Sequence, residues 1–249
     1  MSTFSEESRT LTTNDHLTLS RRSSTFTITL HHKDDNPLDF GLIAAINQAY
    51  IEARKHIGSD YRDNGACIIL TGRGTSVFSS VRAPYRRIAG VPMNDETRNS
   101  NILRDAFAPL LLTVLTFPFP TIALINGVCE GGACIISMCH DYRILNKETG
   151  CVSFDAIHMG AHFVGMAAIM QHRLTPFAAQ KMVLEGYKFG AQEALQDQLV
   201  HQLAESSELE EAANELAKRV AKLGAYGTCG LMRKELLGYT LPKLIAQSQ

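Results

Sequence analysis

Charge of either sign is not in excess in this chain. Lys plus Arg number 24 against 25 Asp plus Glu, a formal charge of −1 over 249 residues. No broad attraction to nucleic acid or to an anionic membrane follows from that balance. No aromatic RNA-binding signature and no helix-turn-helix pattern is present. Long apolar runs are also missing: the longest, Ala106 to Val128, is broken by Pro118 and Pro120 and does not read as a membrane span. The six cysteines, at 67, 129, 134, 139, 151 and 229, form no CxxC pair and no ligand-spaced Cys/His pattern. Cys129, Cys134 and Cys139 recur every five residues, which on a helix turns each side chain by about 140° from the last, so the three cannot share a metal. They read as small buried thiols of a reducing compartment. The opening MSTFSEESRTLTTNDH is polar and carries Glu6 and Glu7, which reads against a secretory or transit peptide. The closing AQSQ is not a peroxisomal address. The expected location is the cytoplasm, with no nucleic-acid and no membrane partner.

What is present is an alternation of short buried strands and amphipathic helices. Thr25 to His32 alternates Phe26, Ile28 and Leu30 with polar residues, a half-buried strand. HHKDDNP follows as a turn. From Phe40, the positions Ile43, Ile46, Tyr50, Ala53 and Ile57 keep helical spacing. ACIILTG (66–72) is a buried strand closed by glycine, and RGTSVFSSVRAPYRR a loop of functional potential. Residues 95–117 read as a helix, TIALING as the next buried strand, 131–140 as the next helix, and YRIL and CVSF as two more strands. Ser207 and Glu210 form a candidate capping box ahead of an amphipathic helix with Leu209, Ala213, Leu216, Val220 and Leu223 on one face. The expectation is an α/β protein with a flexible arm over 1–16, a core over 17–200 and a helical region over 201–249.

The stretch CEGGACIISMCHDY (129–142) follows a strand directly and opens with two glycines. A P-loop would need GxxxxGK[ST], a dinucleotide fingerprint GxGxxG, and a nucleophile elbow GxSxG; none is here. Two readings stay open. The glycines serve a tight strand-to-helix turn, or they let a ligand oxygen approach the unpaired N–H groups of a helix start.

PTIALINGVCEGGACIISMCHDYRIL resembles the signature of the crotonase (enoyl-CoA hydratase/isomerase) superfamily at Pro120, Ile122, Ala123, Ile125, Asn126, Gly127, Gly131, Gly132, Asp141 and Arg143. TGRGTSVFSS, roughly fifty residues upstream, resembles the same family's second motif, and RKELLGYTL resembles the tail of its enoyl-CoA isomerase branch. The resemblance implies a crotonase fold of repeated ββα units with a helical C-terminal trimerisation region, hence a homotrimer or a hexamer. It implies a small-molecule acyl substrate and no cofactor beyond coenzyme A as a thioester carrier; it also admits a peroxisomal location. It implies an oxyanion hole made of two backbone N–H groups, at Ser80 and Gly132. Each such donor lowers the barrier to enolate formation by about 3 kcal/mol.

The departures from the pattern bear on the reaction. The two positions where the resemblance implies catalytic glutamates hold Ile135 and Ala156. Hydration, which uses both, is therefore not expected. Asp155, His158 and Glu130 are the replacement candidates for acid/base work, His158 because imidazole titrates near neutrality. Val81, Ala133, Ala156 and His162 are the expected substrate-lining positions. Val81 stands where the family has glycine, so its loop is expected to take another path. Three functions fit: an enzyme stabilising an enolate of an acyl thioester or related carbonyl compound in specialised metabolism (isomerase, dehydratase, decarboxylase or cyclase), an ordinary enoyl-CoA isomerase with a relocated base, or a non-catalytic acyl-thioester-binding protein.

Overall fold

The computed structural model describes residues 8–58, 65–80, 103–159 and 165–238. Eleven strands make two sheets. The larger contains β1 (Arg9–Thr13), β2 (Leu17–Arg22), β3 (Thr25–Leu30), β4 (Cys67–Gly72), β6 (Thr121–Ile125), β8 (Tyr142–Asn146) and β11 (Gln202–Ala204), in that spatial order. The smaller runs β10 (Phe189–Gly190), β9 (Cys151–Ser153), β7 (Val128–Glu130), β5 (Val77–Ser79). Pairing is parallel from β3 through to β11 and among β9, β7 and β5. The helices are α1 (Phe40–Ile57), α2 (Ala108–Leu115), α3 (Gly132–Met138), α4 (Met166–Arg173), α5 (Pro176–Leu184), α6 (Ala191–Gln196), α7 (Leu209–Ala221) and α8 (Cys229–Leu236).

The run CIILTG is apolar throughout because β4 is covered on both faces, as parallel strands usually are. Ile68 and Leu70 face the main core with α1 and α2, while Cys67 and Ile69 face α7, whose Leu209, Ala213, Leu216 and Val220 form the opposing stripe. A glycine is required where β6 passes to β7: a Cβ at Gly127 would stand 2.0 Å from the Ser76 carbonyl. Asn126, just before it, pins the β4–β5 loop, accepting from Gly72 N–H (3.0 Å) and donating to the Gly74 and Val77 carbonyls (2.9 and 3.1 Å).

Some boundaries differ from expectation. Residues 9–13, expected in a loose arm, pair with β2 as an edge strand, since backbone ladder bonds are available to them there. The helical region does not begin cleanly at 201, because β11 extends the sheet beside β8. The Ser207/Glu210 capping box does not form. Glu208 is the N-cap of α7 and makes no side-chain cap bond. The segment 77–79, read as loop, is a short strand. Of the helix expected over 95–117, residues 95–102 lie outside the described residues; the rest is a π-helical turn, Leu103–Phe107, continuing into α2.

A buried polar network ties α8 to the core. Asp141 receives Arg233 through Nε (2.7 Å) and Nη2 (2.5 Å), and Arg233 also donates to the Phe117 and Phe119 carbonyls. Burial pushes the Asp141 carboxyl up, but Arg233 outweighs it and holds the group below its usual range. Arg143 donates to the carbonyls of Leu199 (2.6 Å) and His140 (2.8 Å). His140 is fully buried. Its Nδ1 lies 2.8 Å from the Ile136 carbonyl, which only accepts, so Nδ1 carries the proton and Nε2 accepts from the Tyr50 hydroxyl at 2.7 Å. Burial lowers the His140 pKa from 6.5 to about 4.

Candidate active site

The small sheet aligns three chain segments. In β9, β7 and β5, Ser153 pairs with Glu130 and Cys129 with Ser79. All three strands run parallel, so Asp155, Gly132 and Ser80 leave the same end of the sheet, with Gly132 in the middle and neighbouring strands ~4.8 Å apart. Carboxyl ends of parallel strands are where open α/β folds hold ligands.

At this end Gly131 adopts φ +60°, the left-handed region that glycine tolerates, and acts as the N-cap of α3. Its own N–H donates to the Ser153 carbonyl at 3.0 Å. The next N–H, that of Gly132, opens the helix and has no partner within it. Above the Gly132 α-carbon lie Leu38 Cδ1 and the Phe107 ring, which a Cβ there would meet at 3.0 and 3.3 Å. Ala133 and Ile135, which follow Gly132 in α3, are buried. The helix start therefore sits in an apolar setting, which strengthens any hydrogen bond made to an oxygen there.

Asp155 follows Ser153 by two residues. Its Oδ1 is buried and has no hydrogen-bond partner among the described residues. Its charge reaches the first turn of α3. Burial is the main cause that pushes the Cys134 thiol well up, and Asp155 adds to it while Arg143 opposes. An unsatisfied buried carboxylate oxygen is costly, and such exceptions in native folds call for an explanation. Here the orphaned acceptor follows β9 at the same end of the small sheet from which the Gly131–Gly132 helix start leaves β7.

A model of the enoyl-CoA hydratase/isomerase family matches residues 20–234. The chain belongs to this family. It is 24% identical over 193 residues to the peroxisomal enoyl-CoA delta isomerase 2 of Arabidopsis thaliana, covering 77% of this chain and 78% of the relative. It is 25% identical over 209 residues to carnitinyl-CoA dehydratase of Salmonella typhi, covering 83% of this chain and 74% of that protein. Among solved structures, an enoyl-CoA isomerase of Mycobacterium tuberculosis superposes with a TM-score of 0.78 at 20% identity, over 94% of this chain and 96% of the other. An enoyl-CoA hydratase/isomerase family protein of Pseudomonas syringae superposes with a TM-score of 0.80 at 19% identity, over 94% and 95%. The crotonase fold expected from the two motifs is the fold observed.

Within this family fold, several groups proposed as functional are engaged elsewhere. The Ser80 N–H donates to the Asp35 carbonyl at 3.0 Å, and is not free to receive a ligand oxygen. The cause is the 33–39 segment, which lies along β5: Asn36 Nδ2 donates to the Phe78 carbonyl (3.0 Å) and Ser79 Oγ to the Asn36 carbonyl (2.6 Å). Among the described residues Gly132 is thus the available donor of the expected pair. Glu130 accepts from Lys188 Nζ at 2.7 Å, so its carboxylate is neutralised by an ion pair rather than turned to a substrate. His158 is exposed and its ring rests on Gly186, where a Cβ would meet Cε1 at 2.7 Å. Val81 and His162 lie outside the described residues.

Burial pushes each of the six cysteine thiols up. Burial raises Cys67 and Cys139 to about 12, far from a thiolate at neutral pH. Leu38, Phe107 and Asn126 were not singled out as functional from sequence. Leu38 and Phe107 reach Gly132 only through long-range packing, and no local pattern marks them. Asn126 was visible as a motif match, and the structure explains it as the clamp on the loop that leads into β5.

Proposed function

We propose that this chain acts on an acyl thioester, with the Gly132 N–H stabilising the thioester oxygen and the Asp155 carboxylate moving the proton α to the carbonyl. The chemistry is a single-base enolate reaction of the isomerase kind. A carbon acid next to a thioester loses its proton as charge passes to the carbonyl oxygen, and a fixed N–H donor in an apolar setting holds that charge. Asp155 then returns the proton to another carbon. Ile135 and Ala156, both buried and neither able to hold a proton, argue against hydration, which requires a second group to activate water. The observation that supports this reading is the buried Asp155 Oδ1, which has no hydrogen-bond partner among the described residues and follows β9 at the sheet end from which Gly132 also leaves.

Assembly follows the family's habit in our reading. α8 and the turn before it expose Leu223, Tyr226, Leu231, Met232 and Leu236, each more than half accessible. A cluster of this kind supports self-association through the C-terminal helices. One observation favours binding without turnover: the Ser80 N–H is already satisfied by Asp35, leaving a single donor.

The test is hydrogen exchange at the α carbon. A panel of saturated and 3-enoyl-CoA thioesters is incubated with the protein in D2O, and deuterium uptake and double-bond migration are followed by mass spectrometry and NMR. Uptake that falls ~10²- to 10⁴-fold in Asp155→Asn is expected for loss of a general base. Uptake unchanged in that variant overturns the assignment of the base. Tight thioester binding with no exchange in the wild type makes the protein a binder and overturns the enzymatic reading.

A further inference from the structure

The segment that carries Leu38 to Gly132 is held at its base by a pair of histidines. His16 Nδ1 lies 2.9 Å from His32 Nδ1, with ring centroids 4.5 Å apart in an edge-to-face arrangement. His32 is 8% exposed, and its Nε2 lies 2.7 Å from Asp39 Oδ2. The other Asp39 oxygen caps α1 by accepting from the Leu42 N–H at 2.9 Å. Two nitrogens at 2.9 Å hold one proton between them. The carboxylate fixes His32 Nε2 as a donor. With both rings neutral, His16 Nδ1–H donates to His32 Nδ1. With one added proton, His32 becomes an imidazolium donating to Asp39 on one side and to His16 on the other. Both states keep the same geometry. With two added protons, two N–H groups face each other across 2.9 Å between like charges, and the contact cannot persist.

We propose that His16, His32 and Asp39 form a proton-counting clasp that stays closed with no or one added proton and opens on the second, releasing the 33–39 segment. That segment holds three items at the site: Leu38 against Gly132, Asp35 against the Ser80 N–H, and Asn36 against Phe78. Opening frees the Ser80 donor and uncovers Gly132 in one step. The charged groups around the pair are accounted for. Lys33 Nζ stands 3.2 Å from the same Asp39 oxygen. His31 is bonded to Thr18 Oγ1, and Asp35 is turned toward Ser80. On the helix side, Gly41 seats the His16 ring, which a Cβ would meet at 3.0 Å. By linkage, the open form binds the second proton more readily, so falling pH favours it.

Only the consequence at Gly132 rests on the acyl-thioester reading; the clasp itself needs no substrate. The test uses the full chain. Imidazole nitrogen NMR across about pH 7.5 to 5 reads the tautomers, and amide exchange corrected for intrinsic rates reads peptides covering 33–39. Expected are a His32 protonated at Nε2 throughout, two separated titration steps for the pair, and about a tenfold extra loss of protection over 33–39 on the second step. His16→Gln, which cannot take the second charge, should abolish that extra loss. Independent single-site titration of the two rings overturns the proposal, as does equal pH dependence in wild type and variant. Should His16→Gln fail to fold, the two-step titration of the wild type decides. No turnover is measured, so failure here leaves the Gly132–Asp155 reading standing, and the reverse holds too.

Discussion

Acid should unfold this protein through one buried ring. His140 is neutral in the fold, its Nδ1–H bound to Ile136 and its Nε2 satisfied by Tyr50, and burial lowers its pKa from 6.5 to about 4. Between those values the unfolded chain holds a proton on this residue and the folded chain does not. Stability therefore falls as pH falls from 6.5 and stops falling from this source near 4. The slope is at most about 1.4 kcal/mol per pH unit for one group, and the total over the window about 3 kcal/mol. His201 is lowered to about 4 as well, chiefly by burial, but the residue is exposed and its share is smaller. Carboxylates titrate in the same range, so the test is a difference. Urea unfolding of wild type and His140→Gln is measured in steps from pH 7 to 4. The variant should be less stable at pH 7, and its stability should depend on pH less steeply, by about 1.4 kcal/mol per unit through the window. Parallel curves would refute the argument, since they would mean that His140 takes up its proton in the fold at no cost.

Three further expectations come from the same coordinates. Arg233→Met removes the cationic partner of Asp141 and leaves a buried carboxylate with only the Thr121 N–H and hydroxyl as donors among the described residues, so chemical denaturation should show a loss of about 3–5 kcal/mol; a loss under about 1 kcal/mol would place the pair among surface bridges. Gly132→Ala puts a Cβ 3.0 Å from Leu38, so thioester turnover should fall at least about tenfold, with melting nearly unchanged because alanine gains about 1 kcal/mol of helix propensity over glycine. Lys188→Met frees Glu130 from its ion pair; turnover should not change and stability should move by less than about 1 kcal/mol, whereas a large change in rate would return Glu130 to the catalytic list.

The parts of the fold legible in the sequence are those with a local cause. Phe40 to Ile57 carried its helical period because one face packs on the sheet, and Asp39 caps it as its side chain demands. CIILTG and TIALI read as buried strands because both faces are covered. Missed features have distant causes. β1 and β11 exist as strands because a neighbour offers a ladder, and Arg9–Thr13 carries too little apolar pattern to announce it. The capping box failed because the helix begins one residue later than expected, at Leu209, so that Glu208 and not Ser207 holds the N-cap position.

The same distinction separates the candidate bases. Asp155, His158 and Glu130 look alike as titratable residues near a motif, and only packing tells them apart. Glu130 is the last residue of β7, opposite Ser153, where Lys188, just ahead of β10 on the far side of β9, reaches it. His158 sits on a 3₁₀ turn whose outer side meets Gly186, so its ring follows α5 rather than α3. Asp155 is the residue at which β9 has ended and the turn has not yet closed, and among the described residues its side chain has one buried oxygen with no donor. The fold retains this unfavourable feature at the end of the small sheet from which α3 also starts. A carboxylate kept for structure would have been given a partner, as Asp141 was given Arg233. If Asp155→Leu raises stability by about 1 kcal/mol or more while abolishing α-carbon exchange, the unsatisfied oxygen is retained for chemistry. If the same change lowers stability and leaves exchange intact, Asp155 is a structural residue, and the base must be sought beyond Ser80 or Met159.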